Sequence, residues 1–145
     1  MKIWEYKFCA YIYEKIVDLR KIKNAMEKLT HQEETIMLHI WQLRECVVKD
    51  IINELADPKP PYTTVASIVR NLEQKGYLNS KKYGNVYVYS PKIAEDDYKR
   101  VFMSNIVKSY FENSYKELVS FFIKEEKITT EELQEIVQMI EKGKK

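Results

Sequence analysis

Glycine is scarce in this chain, with three residues in 145, and proline is nearly as rare at four. Few positions can turn sharply, so the sequence must be built largely from helices. No Gly-rich phosphate loop is present, which excludes nucleotide binding of that kind. Histidine is limited to His31 and His39, and cysteine to Cys9 and Cys46. No pair among them has zinc spacing. His31-Gln32-Glu33-Glu34-Thr35 lacks the second histidine of a metalloprotease helix. No serine sits in a nucleophile elbow. These gaps predict a protein that is not an enzyme and takes no cofactor or metal. Two distant cysteines make no disulfide framework. No apolar run approaches the ~20 residues of a membrane span, and no leader pattern opens the chain. A cytoplasmic location is expected.

What is present is an ordinary balance of 45% apolar and 32% charged residues, enough to bury a core. The net charge of +2 is small, but its distribution is uneven. Residues 31–61 carry three basic and six acidic side chains, a balance of −3. Residues 62–94 carry Arg70, Lys75, Lys81, Lys82 and Lys92 against Glu73 alone, giving +4. Residues 95–145 carry nine basic and eleven acidic side chains, giving −2. A basic middle between acidic flanks is the footprint to pursue.

The basic segment opens on Pro60-Pro61, which fixes an extended approach and stops any preceding helix. Val65, Ile68, Val69 and Leu72 then recur at helical spacing and predict one apolar face. Thr63 or Thr64 is the expected cap. Gly76 is expected just past the end, with Lys75 in the last turn, where the helix dipole favours a cation. Thr63, Thr64, Ser67, Arg70 and Asn71 fall on the other face. A solvated face is usually rich in Glu and Lys. This one carries short hydroxyls, an amide and one Arg, which can reach base edges and phosphates.

Two helices precede it. Thr30-His31-Gln32-Glu33 reads as a capping box, opening a helix to about Leu43 with Ile36, Met37, Ile40 and Trp41 inward. A shorter helix is expected over Val47 to Ala56. After Gly76 the period changes to that of strands: Leu78 to Lys82, a Tyr83-Gly84-Asn85 turn, then Val86 to Tyr89, closed by Pro91. Three helices and a β-hairpin predict a winged helix-turn-helix, with Lys81, Lys82 and the Tyr83–Asn85 tip as the wing. From Glu95 the helical period returns, through Tyr98, Phe102, Ile106, Tyr110 and Phe111. A segment near Tyr115 to Lys124 carries Leu118, Val119, Phe121 and Phe122. A second capping box at Thr129-Thr130-Glu131-Glu132 opens a last helix with Leu133, Ile136, Val137 and Ile140 inward. These helices hold more apolar surface than they can bury in each other, which calls for a partner. The economical partner is a second copy. Cys46 has two readings, a buried small hydrophobe or a redox-sensitive thiol.

The expected organisation is mainly α: an amphipathic extension over 1–28, a winged helix over 29–92 and a helical dimerisation domain over 93–145. The extension has Trp4, Phe8, Ile16, Leu19, Ile22 and Met26 at helical steps and a Lys-rich opposite face. It reads as an added helix on the body or on a partner, as an upstream extension with Met26 the natural start, or as a membrane-surface helix.

Four blocks resemble the BlaI/MecI/CopY repressor family: LTHQEETIMLHIW at 29–41, VKDIINEL at 48–55, YTTVASIVRNLEQKGYL at 62–78 and YVYSP at 87–91. The resemblance covers about residues 29–142. It implies a homodimeric repressor whose third helix binds a palindromic DNA operator. Thr63, Thr64, Ser67, Arg70, Asn71, Lys81, Lys82 and Asn85 would contact DNA. Phe102, Ile106, Tyr110, Leu118, Val119, Phe122, Leu133, Ile136 and Ile140 would form the dimer. It further implies derepression by a membrane-bound sensor metalloprotease, cutting near Phe121 and Phe122, with no direct membrane binding. Three departures stand out. Phe121 replaces the family's Asn before the cut, and Asn85 replaces the Arg that often follows the wing glycine. No Cys-x-Cys motif follows Cys46, which argues against a copper or zinc sensor. The competing readings are a winged helix that binds protein and a membrane-associated regulator.

Overall fold

The computed structural model describes Ala10, Tyr13 and residues 26–143. The expected amphipathic helix over 1–28 falls almost wholly outside the described residues. Helix α1 spans His31–Leu43. Thr30 caps it: the Glu33 N–H donates to Thr30 Oγ1 at 3.3 Å, and the Thr30 N–H donates to Glu33 Oε2 at 2.8 Å. Ile36, Met37, Ile40 and Trp41 line its buried face, as their spacing predicts. At its end Arg44 turns into positive φ, 65°, and the chain bends through Glu45, whose N–H donates to the Leu43 carbonyl at 2.8 Å, to reach Cys46. There Cys46 and Tyr89 exchange backbone hydrogen bonds of 3.0 and 2.8 Å. The sequence gives no sign of this added bridge at the sheet edge, because one residue has no period.

Helix α2 covers Val48–Glu54, with Val48 and Ile51 buried. It is shorter than the expected Val47–Ala56 at both ends. The Asp50 carboxylate accepts from the Val47 N–H at 2.9 Å, placing Val47 outside as the cap. Lys59 Nζ then reaches back to the carbonyls of Ile52, Asn53 and Leu55 at 3.0–3.1 Å. It satisfies the terminal acceptors that a further turn would otherwise use.

Helix α3 runs Tyr62–Gln74. Neither Thr63 nor Thr64 caps it; both lie inside its first turn. Pro61 is the cap residue, and its carbonyl accepts from the N–H groups of Thr64 and Val65 at 3.1 and 3.3 Å. The diproline presets this geometry, so the helix starts before the hydroxyls. The far end follows the sequence closely. Gly76 has φ +81°. The Gly76 N–H donates to Glu73 O and the Tyr77 N–H to Leu72 O, each at 3.0 Å. This pair of bonds is a Schellman motif, and its αL position suits glycine.

Strands β1 (Leu78–Tyr83) and β2 (Val86–Pro91) pair antiparallel, from Leu78 opposite Pro91 to Tyr83 opposite Val86. The turn is Gly84-Asn85 alone. Gly84 supplies the positive φ, +60°, so Tyr83 is released to the ladder. Leu29, Ile36, Met37, Ile40, Ile51, Val65, Val69, Leu72, Tyr77, Leu78 and Tyr89 converge in one core, with Met26 packed against its edge.

Helix α4 spans Glu95–Tyr110. Its first turn belongs to the core-forming unit, which ends at Lys99; a second compact unit starts at Arg100. Tyr98 donates to Glu34 Oε1 at 2.7 Å, and its ring lies 5.2 Å from Trp41 and 6.2 Å from Tyr77. In the second unit, Glu112 and Asn113 take left-handed φ to turn the chain. Ser114 then caps α5, Tyr115–Lys124. Thr129 and Glu132 form the reciprocal bonds of a capping box at the start of α6, Thr130–Gly143. Neither α5 nor α6 buries a single residue. Among the described residues, no helix is long and apolar enough to cross a membrane.

Glu33 is the one buried charged residue among those described. Burial alone pushes its pKa up. The Lys75 ammonium 2.8 Å away and the Thr30 N–H outweigh that and hold it below its usual 4.5. Its stabilisation is therefore complete above pH 4.5 and is lost as pH falls through the lower folded value. Glu33→Ala should cost about 2–3 kcal/mol in urea unfolding at neutral pH, since it removes hydrogen bonds to a buried charge. The variant's stability should also fall less steeply than the wild type's on acidification.

Candidate nucleic-acid interface

Helix α3 separates cleanly into two faces. Val65, Ala66, Val69 and Leu72 are buried, and Thr63, Thr64, Ser67, Arg70 and Asn71 are all exposed. Helical spacing puts Thr63, Ser67 and Arg70 on a central ridge. Thr64 lies to one flank, lining a small apolar depression of about 180 Å³ with His31, Thr35, Leu55 and Ile68. On the other flank, Arg70 borders a larger cleft of about 850 Å³ between α2, α3 and the hairpin. Lys81, Lys82 and Asn85 are exposed at the hairpin's outer half. Lys81 Nζ lies 5.2 Å from the centroid of Tyr83, and Lys82 Nζ 5.6 Å from that of Tyr87. Each ring lies within cation–π range and gives its ammonium a preferred place.

One cation of the basic segment does not belong to this surface. Lys75 is engaged by Glu33 and by the Lys28 carbonyl at 3.1 Å. Its charge serves the core's edge, and the segment's outward excess is smaller by one than its composition states. Sequence reasoning also missed four residues that line the cleft: Lys49, Tyr62, Ser80 and Tyr87. Tyr62 and Tyr87 are each about half exposed. The register could have signalled Tyr87, because it alternates with Tyr89 on one hairpin face. Tyr89 occupies the buried end of that face. Burial raises its hydroxyl pKa, with the Glu73 carboxylate adding to the shift.

Of the two histidines only His31 borders this surface, at the small depression beside Thr64. His31 is exposed, and His39 is half-buried with its Nδ1 lacking a hydrogen-bond partner. Among the described residues, no cluster of His, Cys, Asp and Glu is set to hold a metal ion.

Three helices in sequence, with an antiparallel hairpin after the third and short polar side chains along that helix's outer face, define a winged helix-turn-helix protein. A sequence model of the family described as Penicillinase repressor matches residues 29–142. The chain belongs to that family, and is thus a transcriptional repressor rather than an enzyme. It is 28% identical over 122 residues to the penicillinase repressor of Bacillus licheniformis, covering 81% of this chain and 92% of that one. It is 22% identical over 120 residues to the methicillin resistance regulatory protein MecI of Staphylococcus aureus, covering 82% and 98%. The solution structure of the DNA-binding domain of the repressor BlaI aligns with 31% identity and a TM-score of 0.45. That alignment covers 50% of this chain and 90% of that one.

Cys46 resolves toward the first of its two readings. It is buried against the sheet edge, and burial, aided by the Asp50 charge, pushes its thiol pKa to about 11. A thiol held neutral and covered is a poor nucleophile. In a Cys9→Ser variant at about pH 8, a disulfide thiol reagent should leave the folded chain unmodified while labelling the urea-unfolded chain fully. Labelling at equal rates would contradict the burial.

Proposed function

We propose that the chain is a homodimeric repressor that reads a pseudo-palindromic operator through α3. The observation that carries this is the outward face of α3, where Thr63, Thr64, Ser67, Arg70 and Asn71 stand exposed opposite buried Val65, Ala66, Val69 and Leu72. Short hydroxyls and an amide present donors and acceptors to base edges at the depth of a major groove. Arg70, Lys81 and Lys82 supply phosphate contacts, and Asn85 stands at the wing tip.

The dimer rests on exposed apolar surface. Phe102, Tyr110, Val119, Phe122, Ile136 and Ile140 are exposed, and Leu118, Leu133 and Ile106 are only part-buried. A patch of this kind needs a cover, and a second copy supplies it with two-fold symmetry. Two α3 helices then address half-sites one DNA turn, ~34 Å, or a multiple of it apart. The reading includes derepression through cleavage by a membrane sensor metalloprotease, which the resemblance to the repressor family supports. Phe121 and Phe122 are both exposed on α5, and a cut between them separates α6 from the rest. Each half-site then binds alone and weakly.

Gel shifts on the DNA upstream of the chain's own reading frame should show binding that weakens steeply with salt. Binding that is absent or indifferent to salt overturns the reading. Arg70→Ala should cost about 1–3 kcal/mol with relaxed specificity if it reads a base, or weaken all sequences alike with a shallower salt slope if it holds a phosphate. Ile136→Asp with Ile140→Asp should turn a dimer into a monomer in sedimentation, with operator affinity falling in step. A double variant that remains dimeric would remove α6 from the interface.

A further inference from the structure

Residues 62–94 contain a single acid, Glu73, and it lines the α3–hairpin cleft with Arg70 of the same helix and Lys49 of α2. A carboxylate there opposes phosphate attraction. Its hydrogen bonding accounts for its position. Ser80 Oγ, on β1, donates to Glu73 Oε1, on the last full turn of α3. Among the described residues this is the side-chain hydrogen bond that joins α3 to the hairpin.

Its place along the hairpin matters. Leu78 and Tyr89 are buried at the base, whereas every residue from Lys81 to Tyr87 is exposed. Ser80 sits at the boundary. It pairs with Tyr89, and the next pair on the same face, two residues toward the tip, is Lys82 with Tyr87. Fixing Ser80 therefore sets Tyr87, which lines the cleft, and Lys82, whose Nζ lies over the Tyr87 ring. That bond ties the middle of the hairpin to α3.

Resting on the DNA reading above, we propose that Glu73 is a positioning residue: by holding Ser80 it sets the hairpin against α3 and so the width of a cleft that seats one sugar–phosphate strand. Arg70 of α3 and Lys49 of α2 line that seat. Tyr87, with Lys82 above its ring, lines it from the hairpin. Glu73 itself touches no DNA. Its charge is the cost of the strongest available hydrogen-bond acceptor, because a carboxylate bond is about twice as strong as a neutral one.

The prediction separates geometry from charge. Full-length Glu73→Ala, Glu73→Gln and Ser80→Ala chains are titrated with the upstream duplex by fluorescence anisotropy over a salt series. Thermal melts run in parallel. Ser80→Ala and Glu73→Ala should each bind about tenfold more weakly, the loss expected for an interaction of this type. Glu73→Gln keeps an acceptor and removes the repulsion, so it should bind at least as tightly as the wild type, with the same order at every salt concentration. Glu73→Ala binding as tightly as Glu73→Gln overturns the proposal, since charge alone would then explain both. Ser80→Ala binding like the wild type overturns it too, even if Glu73→Ala fails to fold, because that change removes only a hydroxyl. A wild-type chain that binds no duplex is a different failure, visible before any variant is made: it overturns the DNA reading and this inference with it.

Discussion

Glu33 is buried, and a buried carboxylate must be fully engaged or it destabilises the fold. It engages three parts of the chain at once. Its carboxylate accepts the Thr30 N–H at the start of α1 and the Lys75 ammonium just past the end of α3. Lys75 in turn holds the Lys28 carbonyl, and Tyr77, two residues on, donates to the Glu27 carbonyl at 2.6 Å. The start of the first helix, the end of the third and the chain leading into the body thus meet at one point. That meeting fixes α3 relative to α1, and with it the direction in which the hydroxyl face of α3 points.

A second junction continues from the first. Tyr77 is completely buried, and burial with the neighbouring acids pushes its hydroxyl pKa up to about 12. Its ring meets Tyr98, which stacks on Trp41 and bonds Glu34. Trp41 Nε1 donates to the Ile93 carbonyl at 2.9 Å, so the segment leading into α4 is also fastened. Each aromatic brings a large apolar body and a polar group that finds its partner. The first turn of α4 is bound to the reading head, although the rest of that helix belongs to the second unit.

Much of this was legible beforehand. Apolar spacing located helices α1 to α6, and the switch to alternation after Gly76 located the hairpin. The two capping boxes and the glycine stop rest on chemistry within four or five residues, which a sequence displays directly. The errors share a cause. Thr63 and Thr64 look like caps because their side chains suit the role, but the diproline carbonyl had already taken it. Lys75 looks like a dipole-compensating surface cation because its partner, Glu33, lies 42 residues away. The cleft residues Lys49, Tyr62, Ser80 and Tyr87 come from four elements, α2, α3, β1 and β2, and no local pattern unites them.

The sequence by itself determined the order and kind of the elements, the apolar face of each helix and the outward set on α3, because each depends on neighbours within one or two turns. The tertiary structure decided which charges remain free to act. Lys75 is spent on a buried acid, Glu73 is turned to a serine on the wing, and Arg70, Lys81 and Lys82 are left facing outward. Charge is counted along a chain, but its effect depends on burial and on partners brought together through space, and only the folded core sets those.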